Sequence, residues 1–186
     1  MNAELWPIAS EEFEIGPPQL PAIELARIID RTIRESGFVN LKKLCIKKGE
    51  LVWMVFIDIY PINDDGNLID ASALAAVAAL QNTVFPVLKE DKVDYGNLTT
   101  EKLPLNETPI AITLYKINDS FILDPTTLEE EAVKARITIG MTLKENWIHA
   151  VQKGGDSPLT EEEIEKAIEI AFSTGREVLE KLQKVK

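Results

Sequence analysis

The sequence is poor in the residues that build disulfide frameworks and histidine metal sites. Its 186 residues include one cysteine, Cys45, and one histidine, His149. A single cysteine excludes an internal disulfide, and a single histidine excludes a site built on paired histidines. We expect Cys45, between Leu44 and Ile46, to be a small buried apolar side chain, as many lone thiols are. A catalytic pair of Cys45 with His149 stays formally open, but nothing around either residue favours it.

Long apolar runs are also missing. The longest, residues 51–57, has the length of a strand and falls short of the ~18 residues that a membrane helix needs. The first residues carry neither the basic nor the apolar segment of a secretory leader. We therefore expect no membrane partner and a location in the reducing cytoplasm.

Basic residues are outnumbered, and a net charge of −11 argues against a chain that binds nucleic acid over its whole surface. The charge is uneven, however. Residues 21–60 hold seven basic and five acidic groups, which leaves +2, whereas the rest holds 13 against 26, which leaves −13. Any contact with a polyanion is therefore expected in residues 21–60. The remaining acidic surface could serve solubility or a basic partner.

Hydrophobic periodicity predicts alternating strands and helices. We predict strands at residues 5–9, 51–59, 110–117, 121–123, 137–143 and 147–151. We predict helices from residue 22 to a glycine C-cap at 37, over 71–80, and from a capping box at 160–163 towards the end of the chain. This order is typical of an α+β architecture with helices packed on a mixed sheet.

Three segments allow more specific predictions. The strand at 51–59 is almost continuously apolar, which indicates burial on both faces. The helix at 71–80 is small and apolar all round, so we expect it to be buried, with Asp70 as its N-cap. Residues 84–106 are interrupted by two prolines and a glycine, which indicates a long excursion or a weak hairpin.

A succession of segments, in order over nearly the whole chain, resembles one known family. The segments are residues 2–10, 13–14, 16–18, 22–27, 30–31, 33–36, 49–53, 56–60, 65–72, 75–80, 102–105, 123–125, 129–131 and 151–153. Together they resemble the RNase PH family and, within it, the archaeal exosome subunit that forms the ring without an active site. The resemblance implies the RNase PH-like (ribosomal protein S5 domain 2-like) α+β fold. Residues 1–106 would be the remainder of the N-terminal half, and residues 107–186 the C-terminal half.

The resemblance also implies partners. Family members begin earlier, so we expect N-terminal strands to be missing from this chain. The subunit that it resembles pairs with a catalytic RNase PH-like subunit, and three pairs close a hexameric ring. RNA threads the ring and is shortened from its 3′ end by phosphorolysis. RNA-binding cap subunits are further candidate partners.

Three stretches depart from the pattern of active relatives. Residues 66–70 have Leu68 where the arginine of an anion site stands, with Asp70 nearby. Residues 16–21 replace an arginine cluster, and residues 91–101 lack the acidic run of the active site. The comparison implies a non-catalytic chain with no catalytic residue, metal ligand or cofactor of its own. Asp91 and Asp94 could form a metal pair in a residual phosphorolytic enzyme, but we favour a solvated loop.

Arg27, Arg31 and Arg34 recur at i, i+4 and i+7 and so share one face of the first predicted helix. One interpretation is a solvated face whose arginines pair with acidic neighbours on the same helix. The other is RNA binding, because the resemblance places this helix near the ring channel, where arginines would grip phosphates. We expect Arg27 and Arg31 to contribute first and Arg34 second.

Two further alternatives stay open. Trp53 and Trp147 could stack on bases, but their apolar strand contexts favour core packing. The chain could also be an orphan that self-associates through open edge strands and never enters an exosome.

Overall fold

The computed structural model describes residues 1–184. None of the helices within these residues combines the length and the apolarity that a bilayer span requires. In the first half, the elements in chain order are β1 (Asn2–Ala3), α1 (Leu20–Glu35), β2 (Cys45–Lys47), β3 (Leu51–Val52), β4 (Asp58–Ile59), α2 (Leu68–Asn82), β5 (Val84–Lys89) and β6 (Lys92–Lys102). They are followed by β7 (Ile110–Ile117), β8 (Ser120–Ile122), α3 (Thr127–Glu130), β9 (Ala135–Thr142), β10 (Trp147–Gly154) and α4 (Glu161–Lys184).

The main sheet has four antiparallel strands in the order β10-β9-β7-β8. Helix α4 packs on one of its faces, and α1 and α2 pack on the other. Strand β7 lies in the middle of these layers. Ile110, Ile112 and Leu114 belong to the core beneath α4, whereas Ala111 belongs to the core around α1 and α2. Burial on both sides explains why β7 is almost continuously apolar.

The α+β class is confirmed, with a parallel pairing of β1 and β4 beside the antiparallel ladders. Strands β7 to β10 and helices α1 and α4 lie where their periodicity predicts them. The capping box of α4 is also present: the Thr160 amide donates to Glu163 at 2.9 Å, and the Glu163 amide donates to the Thr160 hydroxyl at 3.2 Å. Residues 84–102 form the predicted hairpin, made of β5 and β6. The division at residues 106/107 stays a prediction.

The prediction of a doubly buried strand over 51–59 is wrong. Only its two ends, β3 and β4, are paired as strands, and exposure alternates along the segment. Trp53, Val55 and Ile57 pack against the core, while Met54 and Phe56 are 70% and 74% exposed. The reason is that no element of residues 1–184 covers the outer face of this segment.

Other local predictions are also wrong. Residues 5–9 are a turn rather than a strand, and the β1 strand lies earlier. Cys45 is exposed, because β2 pairs only with the two-residue strand β3. Trp147, at the start of the edge strand β10, is 60% exposed, whereas Trp53 packs against Phe85 with ring centroids 5.4 Å apart.

Helix α2 is buried on one face and not all round. It begins at Leu68, three residues before the predicted start, and Asn67 occupies the N-cap position. The exposed face carries Ala71, Ala75 and Ala79. An apolar pattern made of alanines indicates burial poorly, because alanine exposes little apolar area wherever it lies.

Candidate functional site

The N-terminus of α2 is the point where the helix meets the main sheet and α3. Asn67 has a left-handed backbone (φ 51°), which asparagine tolerates better than most residues. Its amide donates to Glu130 Oε1 at 2.8 Å, and its side-chain nitrogen donates to Asp124 Oδ1 at 3.1 Å. The Tyr115 hydroxyl donates to Asn67 Oδ1 at 3.0 Å. Asn67 therefore joins α2, α3 and β7 at one point.

The preceding glycine permits this close approach. Gly66 has φ +87°, and a Cβ built on it would lie 2.2 Å from the carbonyl oxygen of Pro125. Any other residue would both strain the backbone and push the α3 segment away. The backbone at Gly66 is thus also a packing contact between the start of α2 and the segment that leads into α3.

Asp70 lies in the first turn of α2 and does not cap the helix, which corrects the prediction. Its carboxylate accepts hydrogen bonds from the Thr113 amide at 3.0 Å and the Thr113 hydroxyl at 2.6 Å. The Thr113 hydroxyl also lies 2.9 Å from that of Thr138. Burial raises the pKa of Asp70 to about 6, although the hydrogen bonds from Thr113 and Asn67 oppose this rise. Asp70 is thus an anchor between α2 and the sheet.

A cavity of about 370 Å³ lies in front of the α2 N-terminus. Its ionisable lining is mostly acidic and comprises Glu12, Glu24, Asp64, Glu130, Tyr115 and Arg136. The one guanidinium, Arg136, is already paired with Glu24 at 2.6 Å. Burial, together with the charges of Glu130 and Asp70, raises the pKa of the Tyr115 hydroxyl well above its usual range. The cavity therefore presents neutral or negative groups to a ligand.

Asp91 and Asp94 do not converge on a cation. Asp91 sits in the tight turn between β5 and β6 with φ +64°. Asp94 accepts from Lys89 Nζ at 2.7 Å, and this bond is the main reason that its pKa is lowered. Within residues 1–184, no cluster of three or more His, Cys, Asp or Glu side chains is arranged for a metal ion.

The three arginines of α1 are all exposed, but they differ in their contacts. Arg34 donates to Asp30 Oδ2 at 3.1 Å and lies 3.5 Å from Glu35. Arg27 and Arg31 form no ion pair with another residue of the described chain. Arg31 borders a small depression that Ala150 and Gln152 of β10 also line. Two guanidinium groups on this helix face therefore remain available to an anion.

Sequence reasoning missed the pairing of Arg136 with Glu24 and the role of Glu130. These contacts join residues more than 60 positions apart, and each partner alone looks like an ordinary surface charge. The one local signal was Asn67 directly after Gly66, a pair that favours left-handed backbone.

Models of known families match most of the chain. Domain 1 of the 3′ exoribonuclease family matches residues 1–86, and domain 2 matches residues 107–174. Two similar curated proteins are exosome complex components named Rrp42. The protein from Thermoplasma acidophilum is 44% identical over 97% of this chain and 66% of its own length. The protein from Methanothermobacter thermautotrophicus is 44% identical over 98% and 68%.

Solved structures agree with the sequence comparison. A chain of the Archaeoglobus fulgidus exosome with RNA bound to the active site superposes with a TM-score of 0.87 at 42% identity, over 97% of this chain and 68% of that one. A chain of an archaeal exosome core gives 0.80 at 34% identity, over 97% and 67%. The chain spans about two thirds of the length of the relatives it matches. The chain therefore belongs to the 3′ exoribonuclease (RNase PH) family, among the relatives of the exosome component Rrp42.

Proposed function

We propose that this chain is a non-catalytic ring subunit of an archaeal-type exosome. It supports a catalytic RNase PH-like partner in the cytoplasm and helps to hold RNA during 3′-to-5′ phosphorolysis. The similar proteins named above are exosome components, and one similar structure is an exosome with bound RNA. RNA-binding cap subunits are further proposed partners. The family matches on either side of residues 87–106 support a division into halves at 106/107.

The N-terminus of α2 is the observation that carries the non-catalytic part of the proposal. A helix N-terminus is a natural seat for phosphate, but here the Asn67 amide already binds the chain's own Glu130 carboxylate at 2.8 Å. Three further carboxylates line the same cavity, and its one guanidinium is paired. A unit negative charge placed ~4 Å from one carboxylate is repelled by about 4 kcal/mol at an effective dielectric constant of ~20. Repulsion on this scale disfavours inorganic phosphate as a ligand.

Phosphorolysis also requires a group that stabilises the leaving oxygen, commonly a bound divalent ion or a proton donor. The aspartates that the sequence offers for that role are Asp91 and Asp94. Asp91 lies in the turn between β5 and β6, and Asp94 lies on β6, where it is paired with Lys89. This arrangement supports a division of labour in which the partner supplies the chemistry.

Incubation with RNA, magnesium and inorganic phosphate tests this proposal. The purified chain should release no nucleoside diphosphates, whereas a mixture with a catalytic RNase PH-like subunit should release them. The catalytic subunit alone serves as the control and should be slower than the mixture. Nucleoside diphosphates released by this chain alone would overturn the proposal, as would a mixture no faster than the catalytic subunit.

We further propose that Arg27 and Arg31 hold RNA phosphates and that Arg34 contributes less. The support is that Arg34 is engaged by Asp30 and Glu35, while the other two guanidinium groups face solvent. Exchange of both for glutamate should weaken RNA binding by the assembled complex alike for all sequences. It should also reduce the slope of log affinity against log salt by ~1 for each lost phosphate contact.

A control is Arg176→Glu, which makes one such charge reversal on α4, on the other side of the main sheet. RNA binding is measured by filter retention over a series of salt concentrations. If the Arg27→Glu/Arg31→Glu complex bound RNA as tightly as the Arg176→Glu complex, the proposal that these arginines hold RNA phosphates would be wrong.

A further inference from the structure

Helix α1 carries three carboxylates close to the two arginines that are proposed to hold RNA: Glu24, Asp30 and Glu35. Glu24 lies three residues before Arg27, and Asp30 lies three residues after it. Glu35 lies four residues after Arg31. Side chains three or four positions apart are neighbours on a helix, so each carboxylate can reach one of these arginines. An ion pair of this kind would occupy the guanidinium group that a phosphate needs.

Each of the three carboxylates is instead held by a cation other than Arg27 and Arg31. Arg34 holds two of them: its guanidinium lies 3.1 Å from Asp30 Oδ2 and 3.5 Å from Glu35 Oε1. Glu24 pairs across to the sheet, where its Oε2 lies 2.6 Å from Arg136 Nη2 on β9. The acidic charge of α1 is thus drawn to one end of the helix and to the sheet.

Arg136 is packed against the backbone of the neighbouring strand. It lies on β9 opposite Gly154 of β10, and a Cβ built on Gly154 would lie 2.1 Å from Arg136 Nη1. The guanidinium group therefore occupies the space that a side chain at Gly154 would take. The side chains of Arg136 and Glu24 are only 21% and 32% exposed. Salt therefore screens their attraction less than that of a fully exposed pair.

Helix α1 meets β9 at a second contact. A Cβ built on Gly140 would lie 2.5 Å from Thr32 Oγ1, so helix and strand touch at this glycine. The eight residues from Glu24 to Thr32 rise ~12 Å in a helix, and the four from Arg136 to Gly140 span ~13 Å in a strand. The two contacts match in spacing, so the alignment of α1 along β9 brings Glu24 to Arg136.

We propose that Arg136 is a positioning residue for RNA binding: it withdraws the Glu24 carboxylate from Arg27 and so keeps the Arg27 guanidinium available to phosphate. Arg34 does the same for Asp30 and Glu35, which explains why an arginine on the same helix face contributes less to RNA binding itself. The proposal rests on the proposed function, because it requires that Arg27 and its neighbour one turn away hold RNA.

Two simpler roles for Arg136 lead to different expectations. If its pair with Glu24 only stabilised the fold, loss of either partner would have a similar effect on RNA binding, and loss of both would be no milder. If Arg136 itself bound RNA, its loss would weaken binding whether or not Glu24 is present. If Arg136 withdraws Glu24 from Arg27, its loss weakens binding only while the Glu24 carboxylate remains.

The test compares Arg136→Met, Glu24→Gln and the double variant, each in complex with a catalytic RNase PH-like subunit. Fluorescence anisotropy measures the Kd for a labelled oligoribonucleotide at low and at high salt, without inorganic phosphate. Arg136→Met should weaken binding about two- to fivefold at low salt, because the freed carboxylate pairs with Arg27 and repels phosphate. The double variant should recover the affinity of the parent, and Glu24→Gln should bind at least as tightly as the parent. The difference between Arg136→Met and the double variant should shrink at high salt.

Lys116→Met is the matched control. It removes one positive charge from an ion pair of similar exposure, between Lys116 on β7 and Glu163 on α4, and should leave the Kd for RNA unchanged. Circular dichroism checks that all variants are folded.

A double variant as weak as Arg136→Met would overturn the inference, as would Arg136→Met binding RNA like Lys116→Met. The Arg27→Glu/Arg31→Glu complex separates this failure from that of the proposed function. If that complex binds RNA weakly while Arg136→Met binds like the parent, only the inference fails. If that complex binds RNA like the parent, the proposed RNA contact fails and the inference fails with it.

Discussion

Replacement of the buried Asp70 by asparagine should remove a specific pH dependence from the stability of the fold. In the folded chain, burial raises the pKa of Asp70 from 3.8 to about 6. A raised pKa means that the folded state binds the proton more tightly than the unfolded state. The resulting stabilisation is complete below about pH 3.8 and is lost as the pH rises through 6. The full effect is about 3 kcal/mol, of which about 1.4 kcal/mol falls between pH 8 and pH 5.

Asparagine keeps the size of the side chain but does not titrate. The free energy of unfolding of the parent chain, minus that of Asp70→Asn, should therefore increase by about 1.4 kcal/mol from pH 8 to pH 5. Urea unfolding followed by circular dichroism measures this difference. Asp65→Asn is the control, because Asp65 is exposed five residues away. If the difference for Asp70→Asn stayed constant with pH, as expected for Asp65→Asn, the buried-carboxylate reasoning would be refuted.

Three other substitutions test contacts that hold the fold, each by urea unfolding. Gly66→Ala should cost at least about 2 kcal/mol, because of its φ of +87° and the nearby Pro125 carbonyl; a loss below about 0.5 kcal/mol would contradict the contact. Thr160→Ala should cost about 1 kcal/mol through loss of the α4 capping box, and an unchanged midpoint would count against it. Leu114→Ala should cost about 2–5 kcal/mol, since Leu114 is fully buried beneath α4; a loss under 1 kcal/mol would disagree.

The parts of the fold that the sequence predicts well are those whose own pattern decides their environment. Helices α1 and α4 carry a clear amphipathic repeat, and the α4 capping box is local. Strand β7 lies between two layers of helices, so its continuous apolar run reports its burial correctly. In each case the residues within one element contain the information that places it.

The same reasoning fails where burial depends on distant partners. The run at 51–59 has the same apolar character as β7, yet its outer face lacks a covering layer within residues 1–184. The apolar pattern indicates that both faces of the segment need burial, whereas in residues 1–184 only the inner face is buried. The prediction that Trp147 packs in the core fails for a related reason. Strand β10 lies at the edge of the sheet, and no local sequence signal marks an edge strand.

For the candidate site, the sequence predicted only that an arginine of active relatives is missing. The resemblance, with Leu68 in place of an arginine, implied a lost anion site, but the sequence did not reveal that Glu130 binds the Asn67 amide. That contact spans 63 residues and depends on the left-handed backbone of Asn67. The arginines of α1 were identified by their spacing and by the resemblance, which also ranked Arg27 and Arg31 ahead of Arg34. The ion pairs of Arg34 agree with that ranking, which stays a prediction.

Binding of inorganic phosphate to the purified chain tests the central claim most directly, namely that the anion seat at the α2 N-terminus is taken by Glu130. Equilibrium dialysis with radiolabelled phosphate, in the presence of magnesium at neutral pH, gives the answer without RNA or a partner. We predict no saturable site with a Kd below about 1 mM. Saturable binding of one phosphate per chain, tighter than this limit, would contradict the account.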